Sequence, residues 1–264
     1  MKNLYIPENI KTCIGDRDYQ LDEIGMSDSK VLVFEDMVLK IEKKHEESDN
    51  EHRMMKWLDG RLPVPKVLCS ESAGGYHYLL MSKIQGKMAC DEYYINRPGE
   101  LAALLAEGLK MLWSVDISSC PCTSNLDNKL RLAKVRVEQG LATMENVQPD
   151  TYGEGGFENP AALLRWLEEN RPAEEIVFSH GDYCLPNIFL ADGKVSGFID
   201  LGRSGLADRW QDIALCYRSL MNNYNGYYGG KVYQEPDFTL FFEKLGLEPD
   251  YEKIRYYILL DELF

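Results

Sequence analysis

One stretch of this chain brings an amide oxygen and two carboxylates close together in order. Residues 176–200 run Ile176-Val177-Phe178-Ser179-His180-Gly181-Asp182, then through Asn187 to Asp200. Between Asn187 and Asp200, Asp192-Gly193 separates two apolar runs, the strongest short-range signal of a two-residue hairpin. Such a turn pairs residues whose numbers sum to 385, so Asn187 is expected opposite Phe198, with Asp200 two residues beyond at the same end. Magnesium takes hard oxygen ligands, one or two from protein and the rest from phosphate and water. Asn187 and Asp200 offer such a pair. Asp182 arrives from the loop before them, placed to hold a hydroxyl against a metal-bound phosphate. Singly, each residue is explained by a turn cap, a strand end or a loop. All three in this order, with the hairpin between them, point to phosphoryl transfer. His180 is expected to be a buried hydrogen-bonding residue, because Asp182 already fills the acid–base role.

The order His-x-Asp-x4-Asn followed by Asp-x-Gly matches the phosphotransfer template of kinases, with Gly181 in place of its arginine. That template also needs a lysine on a strand and a carboxylate on the next helix. Lys40 ends a Val-Leu-Lys run, and Glu51 lies on the helix expected after it, with Glu46 and Glu47 as alternatives just before. A glycine-rich cover over the phosphates is represented by Gly25-Met26-Ser27-Asp28-Ser29-Lys30, whose Met26 and Ser27 would offer backbone N–H groups. Met81-Ser82-Lys83-Ile84 is the natural hinge for adenine, held by main-chain groups, which makes Ser82 and Ile84 nucleotide-side candidates.

Elements able to position these residues are legible around them. Val31–Phe34 and Val38–Ile41 read as strands of a hairpin, and Gly74-Gly75 separates two more strands, Val64–Ser70 and Tyr76–Ser82. Between the pairs, Met54, Met55 and Leu58 mark a helix with Ser48, Asp49 and Asn50 as candidate N-caps and Gly60 to end it. After residue 88 helices dominate: Leu101, Leu104, Leu105, Leu109 and Leu112 repeat at helical spacing. Ala161–Glu169, Asp208–Asn222 and Tyr251–Phe264 read as further helices. The expected fold class is α+β: a nucleotide-binding lobe over residues 1–84, made of a small antiparallel sheet plus one helix, and a mainly helical lobe over 85–264.

Composition narrows the partners. The 264 residues carry 43 Asp+Glu against 29 Lys+Arg, a formal charge of −14. That surface repels nucleic acid and anionic lipid and suits a cationic ligand. No run approaches a membrane span, and the N-terminus lacks the apolar core of a secretion signal. Seven irregularly placed cysteines are not a disulfide framework, and the expected compartment is a reducing cytoplasm. Cys120-Pro121-Cys122 has no histidine at metal-ligand spacing, which argues against zinc.

The chain resembles the bacterial aminoglycoside 3′-phosphotransferases, or kanamycin kinases. Carrying the resemblance are Met26-Ser27, Leu62-Pro63-Val64-Pro65, His180-Gly181-Asp182 to Asn187, Gly197-Phe198-Ile199-Asp200-Leu201-Gly202-Arg203, Asp208 to Asp212, and the final Leu260-Asp261-Glu262-Leu263-Phe264. It implies a bilobal protein-kinase-like fold, ATP as donor, Mg²⁺, and transfer to a hydroxyl (the 3′ position foremost) of a cationic aminoglycoside, giving resistance. By position it implies Asp182 as the catalytic carboxylate, Asn187 and Asp200 as metal ligands, Lys40 as the phosphate-binding lysine and Glu51 as its partner. Arg203 resembles the family arginine near the acceptor; Asp150 and Glu154 are the acidic residues of the corresponding acceptor loop, 146–157. Asp208 and Asp212 are read as helix-start and loop-supporting residues. At the C-terminus Asp261, Glu262 and the Phe264 carboxylate add negative charge to a helix end that is already negative. That crowding is unfavourable by itself and would be relieved by a polyammonium ligand. A metabolic small-molecule kinase (for choline or a sugar) and a non-catalytic nucleotide-binding module are the rival readings. A protein kinase is disfavoured, since only 64 residues follow Asp200 and no Ala-Pro-Glu appears among them.

Overall fold

Short runs of branched and apolar residues make the first sheet. The computed structural model describes residues 5–22, 29–145, 147–234 and 236–264. Helix α1 (Glu8–Ile14) leads into strands β1 (Gln20–Asp22), β2 (Lys30–Val33) and β3 (Met37–Lys43), then α2 (Glu46–Leu58), β4 (Val67–Ala73) and β5 (Tyr76–Ser82). The strands form one antiparallel sheet in the order β1-β2-β3-β5-β4. Alternation along β3 buries Met37, Leu39 and Ile41 and turns Lys40 to the opposite face. On the buried face Leu39 and Ile41 meet Leu32, Leu80 and, from α1, Ile10 and Ile14. The expected strand-strand-helix-strand-strand order is present, with α1 and β1 added ahead of it.

The start of α2 differs from expectation. Its N-cap is His45, whose ring accepts from Ser48 N while Ser48 Oγ accepts from His45 N at 3.0 Å. Ser48 is therefore the third helical residue of a reciprocal capping box, and Asp49 and Asn50 lie inside the helix. Histidine is outside the usual capping set, which is why the earlier start is not evident in sequence. Gly60, at φ +76°, follows the helix end as expected.

The rest of the chain adds β6 (Lys87–Met88), α3 (Glu92–Ile95), α4 (Pro98–Trp113), α5 (Leu126–Glu138), α6 (Pro160–Glu169), β7 (Ile176–Ser179), β8 (Ile188–Ala191), β9 (Lys194–Phe198), β10 (Gly205–Asp208), α7 (Arg209–Tyr224), α8 (Phe238–Leu245) and α9 (Tyr251–Asp261). Single 3₁₀ turns cover Leu185–Asn187 and Leu201–Arg203. The leucine stripe of α4 is buried as its spacing requires and packs on α8. One continuous core joins α4, α7 and α9 to Met54, Met55 and Leu58 of α2. Helix α2 thus shares the larger core with the helical part of the chain. All seven cysteines are free thiols. Among the described residues no helix is long and apolar enough to cross a membrane.

Candidate active site

The hairpin turns at Asp192 and Gly193 with φ of +52° and +70°, the pair of positive values that a two-residue I′ turn demands. Next to the turn the pairs are Ala191 with Lys194 and Leu190 with Val195, in the expected register. Beyond them Ser196 is an extra residue in β9, and the pairs become Phe189 with Gly197 and Ile188 with Phe198. This bulge corrects the sequence register: Asn187 faces Ile199, whose N–H donates to the Asn187 carbonyl at 3.0 Å. Asp200 follows immediately, one residue nearer to Asn187 than a regular ladder would put it. Its backbone is left-handed, with φ +60°, a conformation costing a non-glycine residue about 1 kcal/mol.

The loop after β7 is held from beneath by α7. Asp212, wholly buried in the first turn of that helix, accepts from His180 N at 2.8 Å and from Gly181 N at 2.9 Å. Burial pushes the Asp212 carboxyl above its ordinary value, against the pull of His180 and these N–H donors. His180 is buried, its Nε2 lies 3.0 Å from the Ile199 carbonyl, and its Nδ1 accepts from Asp182 N at 3.3 Å. It ties the Asp182 loop to the strand that delivers Asp200. Asp208 caps α7, accepting from Trp210 N at 3.4 Å. Gly181 sits at φ +83°, and a Cβ there would overlap the Arg203 carbonyl oxygen. The close crossing of the two loops therefore excludes any side chain at 181.

Asp182 is gripped at both oxygens. Asn187 Nδ2 donates to its Oδ2 at 2.9 Å and to its main-chain oxygen at 3.0 Å, and Cys184 Sγ lies 3.0 Å from Oδ1. Cys184 carries no sequence signal of its own and is evident only from the contact. On strand β3, Lys40 Nζ reaches Glu51 at 2.8 Å and Asp200 Oδ1 at 3.0 Å, with Glu42 at 3.6 Å. Burial works against the charge on this lysine, but the carboxylates around it, Glu51 first and then Asp200 and Glu42, more than offset that and keep it protonated. For Asp200 the partial desolvation of a half-exposed carboxylate works against the charge; the Lys40 ion pair and hydrogen bond, with His180 and Arg203, more than offset it and hold the carboxyl below its usual range. Of the three glutamates on α2, Glu51 takes the lysine, and Glu47 instead pairs with Arg203 at 3.2 Å. Asn50, read from sequence only as a candidate N-cap, donates instead to the Gly202 and Ser204 carbonyls at 2.9 and 3.0 Å.

The nucleotide-side candidates divide. Met26 and Ser27 lie outside the described residues. The hinge expectation needs correction at Ser82: its N–H donates to Lys66 O and its hydroxyl accepts from Lys66 N, because residue 82 is still within the sheet. Lys83 N–H is likewise taken, by Asp36 O at 3.0 Å. Ile84, past the sheet, packs against Gly197 of β9.

The C-terminal segment also corrects its expectation. Asp261 is paired with Arg218 at 2.5 Å and Arg203 at 3.3 Å, and Arg218 also lies 3.7 Å from Glu262. The negative charge is therefore already answered within the chain. Asp261 is depressed below its usual range: burial opposes its charge, but Arg218, Arg203 and Lys129 together prevail. Glu262 is pushed up to about 7, by burial first and by Asp261 and Asp150 after it. Gln148 N donates to Glu262 at 3.2 Å, joining the 147–157 loop to the tail. Asp150 and Glu154 are exposed on that loop. The Phe264 ring faces Arg203 at 5.9 Å.

An antiparallel sheet carrying Lys40, a mainly helical remainder carrying Asp182, Asn187 and Asp200, and the Lys40–Asp200 pair that joins them define a protein-kinase-like phosphotransferase. The family model described as "Phosphotransferase enzyme family" matches residues 18–237. An aminoglycoside 3′-phosphotransferase of Enterococcus faecalis is 42% identical over the whole of both chains. The crystal structure of an aminoglycoside 3′-phosphotransferase of type VIII superposes with a TM-score of 0.82 at 25% identity, covering 97% of each chain. A Streptomyces rimosus aminoglycoside phosphotransferase in complex with ADP and streptomycin gives a TM-score of 0.78 at 23% identity, over 96% of this chain and 95% of that one. The chain belongs to the aminoglycoside 3′-phosphotransferase family.

Proposed function

We propose that this chain transfers the γ-phosphoryl group of ATP to the 3′-hydroxyl of an aminoglycoside, in the cytoplasm, and so confers resistance. The observation that carries the reading is the grip on Asp182, whose carboxylate is fixed by Asn187, the residue whose main chain pairs with Ile199 just before the Lys40-bound Asp200. A fixed carboxylate can orient an alcohol and take its proton as the oxygen attacks phosphorus and ADP departs. Lys40, steadied by Glu51, is the cation for the phosphates. Residues 1–84, with Met26, Ser27, the Ser82 carbonyl and the main chain at Ile84, form the nucleotide side, and 85–264 the catalytic and acceptor side. Arg203, Asp150, Glu154, Asp261, Glu262 and Phe264 line the acceptor side, where the exposed Asp150 and Glu154 and the chain's net charge of −14 favour a ligand with several ammonium groups.

The donor set fits magnesium. Asn187 commits its NH₂ to Asp182, which leaves Oδ1 as its acceptor, and the Asp200 side chain is about half exposed, at 51%. Asn187 and Asp200 would hold the ion, which when bound supplies neutralisation of phosphate charge.

Release of ADP measured with ATP, Mg²⁺ and kanamycin, butirosin or choline tests this reading, with NMR of the product to locate the phosphate. Kanamycin turnover with a 3′-phosphate is expected, and Asp182→Ala is expected to lower kcat by roughly 10²–10⁴-fold. Preference for choline, or near-normal turnover by the variant, would overturn it. Absence of turnover with retained ATP binding would favour a non-catalytic module.

A further inference from the structure

Helix α5 grips the end of the chain. Arg136 donates from Nε to the Leu263 carbonyl at 2.7 Å and from Nη2 to the Phe264 main-chain oxygen at 2.6 Å. Its guanidinium carbon also lies 5.7 Å from the Phe264 ring. Two helical turns earlier, on the same face, Lys129 is buried with its ammonium 5.3 Å from that ring, and Asp261 is the leading opposite charge that it feels. A helix end leaves carbonyls without partners inside the helix. Just past the end of α9, Arg136 satisfies two main-chain oxygens with a rigid pair of donors, a match that a lysine makes poorly. Arg203 and Arg218 hold the Asp261 side chain, whereas Arg136 holds the backbone that follows it.

We propose that Arg136 is a positioning residue for acceptor binding. By fixing the main chain of Leu263 and Phe264, it sets where Asp261, Glu262 and Phe264 meet a cationic acceptor, and Lys129 steadies the same ring from its own turn of α5. This inference rests on the tail being part of the acceptor site, as proposed above. Its effect is specific in kind: loss of the grip loosens the acceptor side and leaves Lys40, Asp182, Asn187 and Asp200 untouched.

The test uses the full chain with Arg136→Met and Arg136→Lys, measuring kcat and the KM values for kanamycin and ATP, with thermal melts to confirm folding. Arg136→Met is expected to raise the kanamycin KM by about ten-fold, the size of losing charge-assisted hydrogen bonds, with the ATP KM changed by less than about two-fold. Arg136→Lys is expected to recover part of that loss. An unchanged kanamycin KM in folded Arg136→Met, or equal rises in both KM values, overturns the inference. Should Arg136→Met fail to fold, Arg136→Lys carries the same comparison: a kanamycin KM equal to that of the parent overturns the inference, and a selective rise supports it. A chain ending at Leu260 separates the two possible failures. If that truncation leaves the kanamycin KM unchanged, the tail is not part of the acceptor site; if it raises the KM while folded Arg136→Met does not, only the role of Arg136 falls.

Discussion

Gly181→Ala should damage this protein out of proportion to the single methyl group added. Two penalties combine at that position. The first is backbone: at φ +83° a residue with a Cβ loses roughly 1–2 kcal/mol. The second is steric: the new Cβ would overlap the Arg203 carbonyl, and relieving such overpacking costs roughly 1–3 kcal/mol. The sum, roughly 2–5 kcal/mol, corresponds to a fall in Tm of about 4–10 °C for a chain of this size. Function should suffer further, because separating the two loops moves Asp182 relative to Asp200, and a misplacement of about 1 Å can cost on the order of 10²-fold in rate. Gly193→Ala is the internal control. It shares a positive φ, +70°, but a Cβ there meets nothing within 4 Å, so only the backbone penalty applies and kcat should be preserved. Calorimetry and steady-state kinetics on both variants give the comparison. If Gly181→Ala melts no lower than Gly193→Ala, the reasoning about the loop crossing is wrong.

Other outcomes can be checked in the same way. Lys40→Met leaves Glu51 buried without its cation and should destabilise the fold by about 3–5 kcal/mol, with the double variant Lys40→Met/Glu51→Met recovering part of the loss in chemical denaturation. Glu262 gives a stability effect with a definite sign. Its carboxyl titrates near 7 in the folded chain against an ordinary 4.5, so between these values the native state holds the extra proton and stability falls as pH rises. Glu262→Gln removes that slope, so its Tm relative to the parent should climb between pH 4.5 and 7.5; a constant difference across that range contradicts the assignment.

How far the sequence reveals this structure depends on whether the signal is local. Asp192-Gly193 specifies a turn by the dihedral angles it permits, and the α4 leucines specify a buried face, so both are readable from a few residues. The Ser196 bulge is not: its hydroxyl donates to Gln85 O at 2.7 Å, a partner 111 positions away. Helix α5 was missed for a different reason. Its stripe of Leu126, Leu130 and Ala133 is interrupted by Lys129, a residue type seldom found inside, and flanked by Arg131, Lys134 and Arg136. Short α8 follows a glycine- and tyrosine-rich stretch that offers no periodicity. Within the site, Lys40, Asp182, Asn187 and Asp200 stand out by order and spacing alone. Asn50, Cys184 and Arg218 do not, because their partners are brought to them only by folding. The charge at the tail was misjudged for the same reason, since the arginines that answer it come from α7 and from the turn after Asp200.

The Asn50 latch ties helix α2 to the turn that follows Asp200. Helix α2 cannot rotate outward alone without stranding a buried amide, parting Glu47 from Arg203 and drawing Glu51 away from Lys40, all in one movement. Any change that frees one of these contacts therefore also loosens the placement of Lys40 against Asp200.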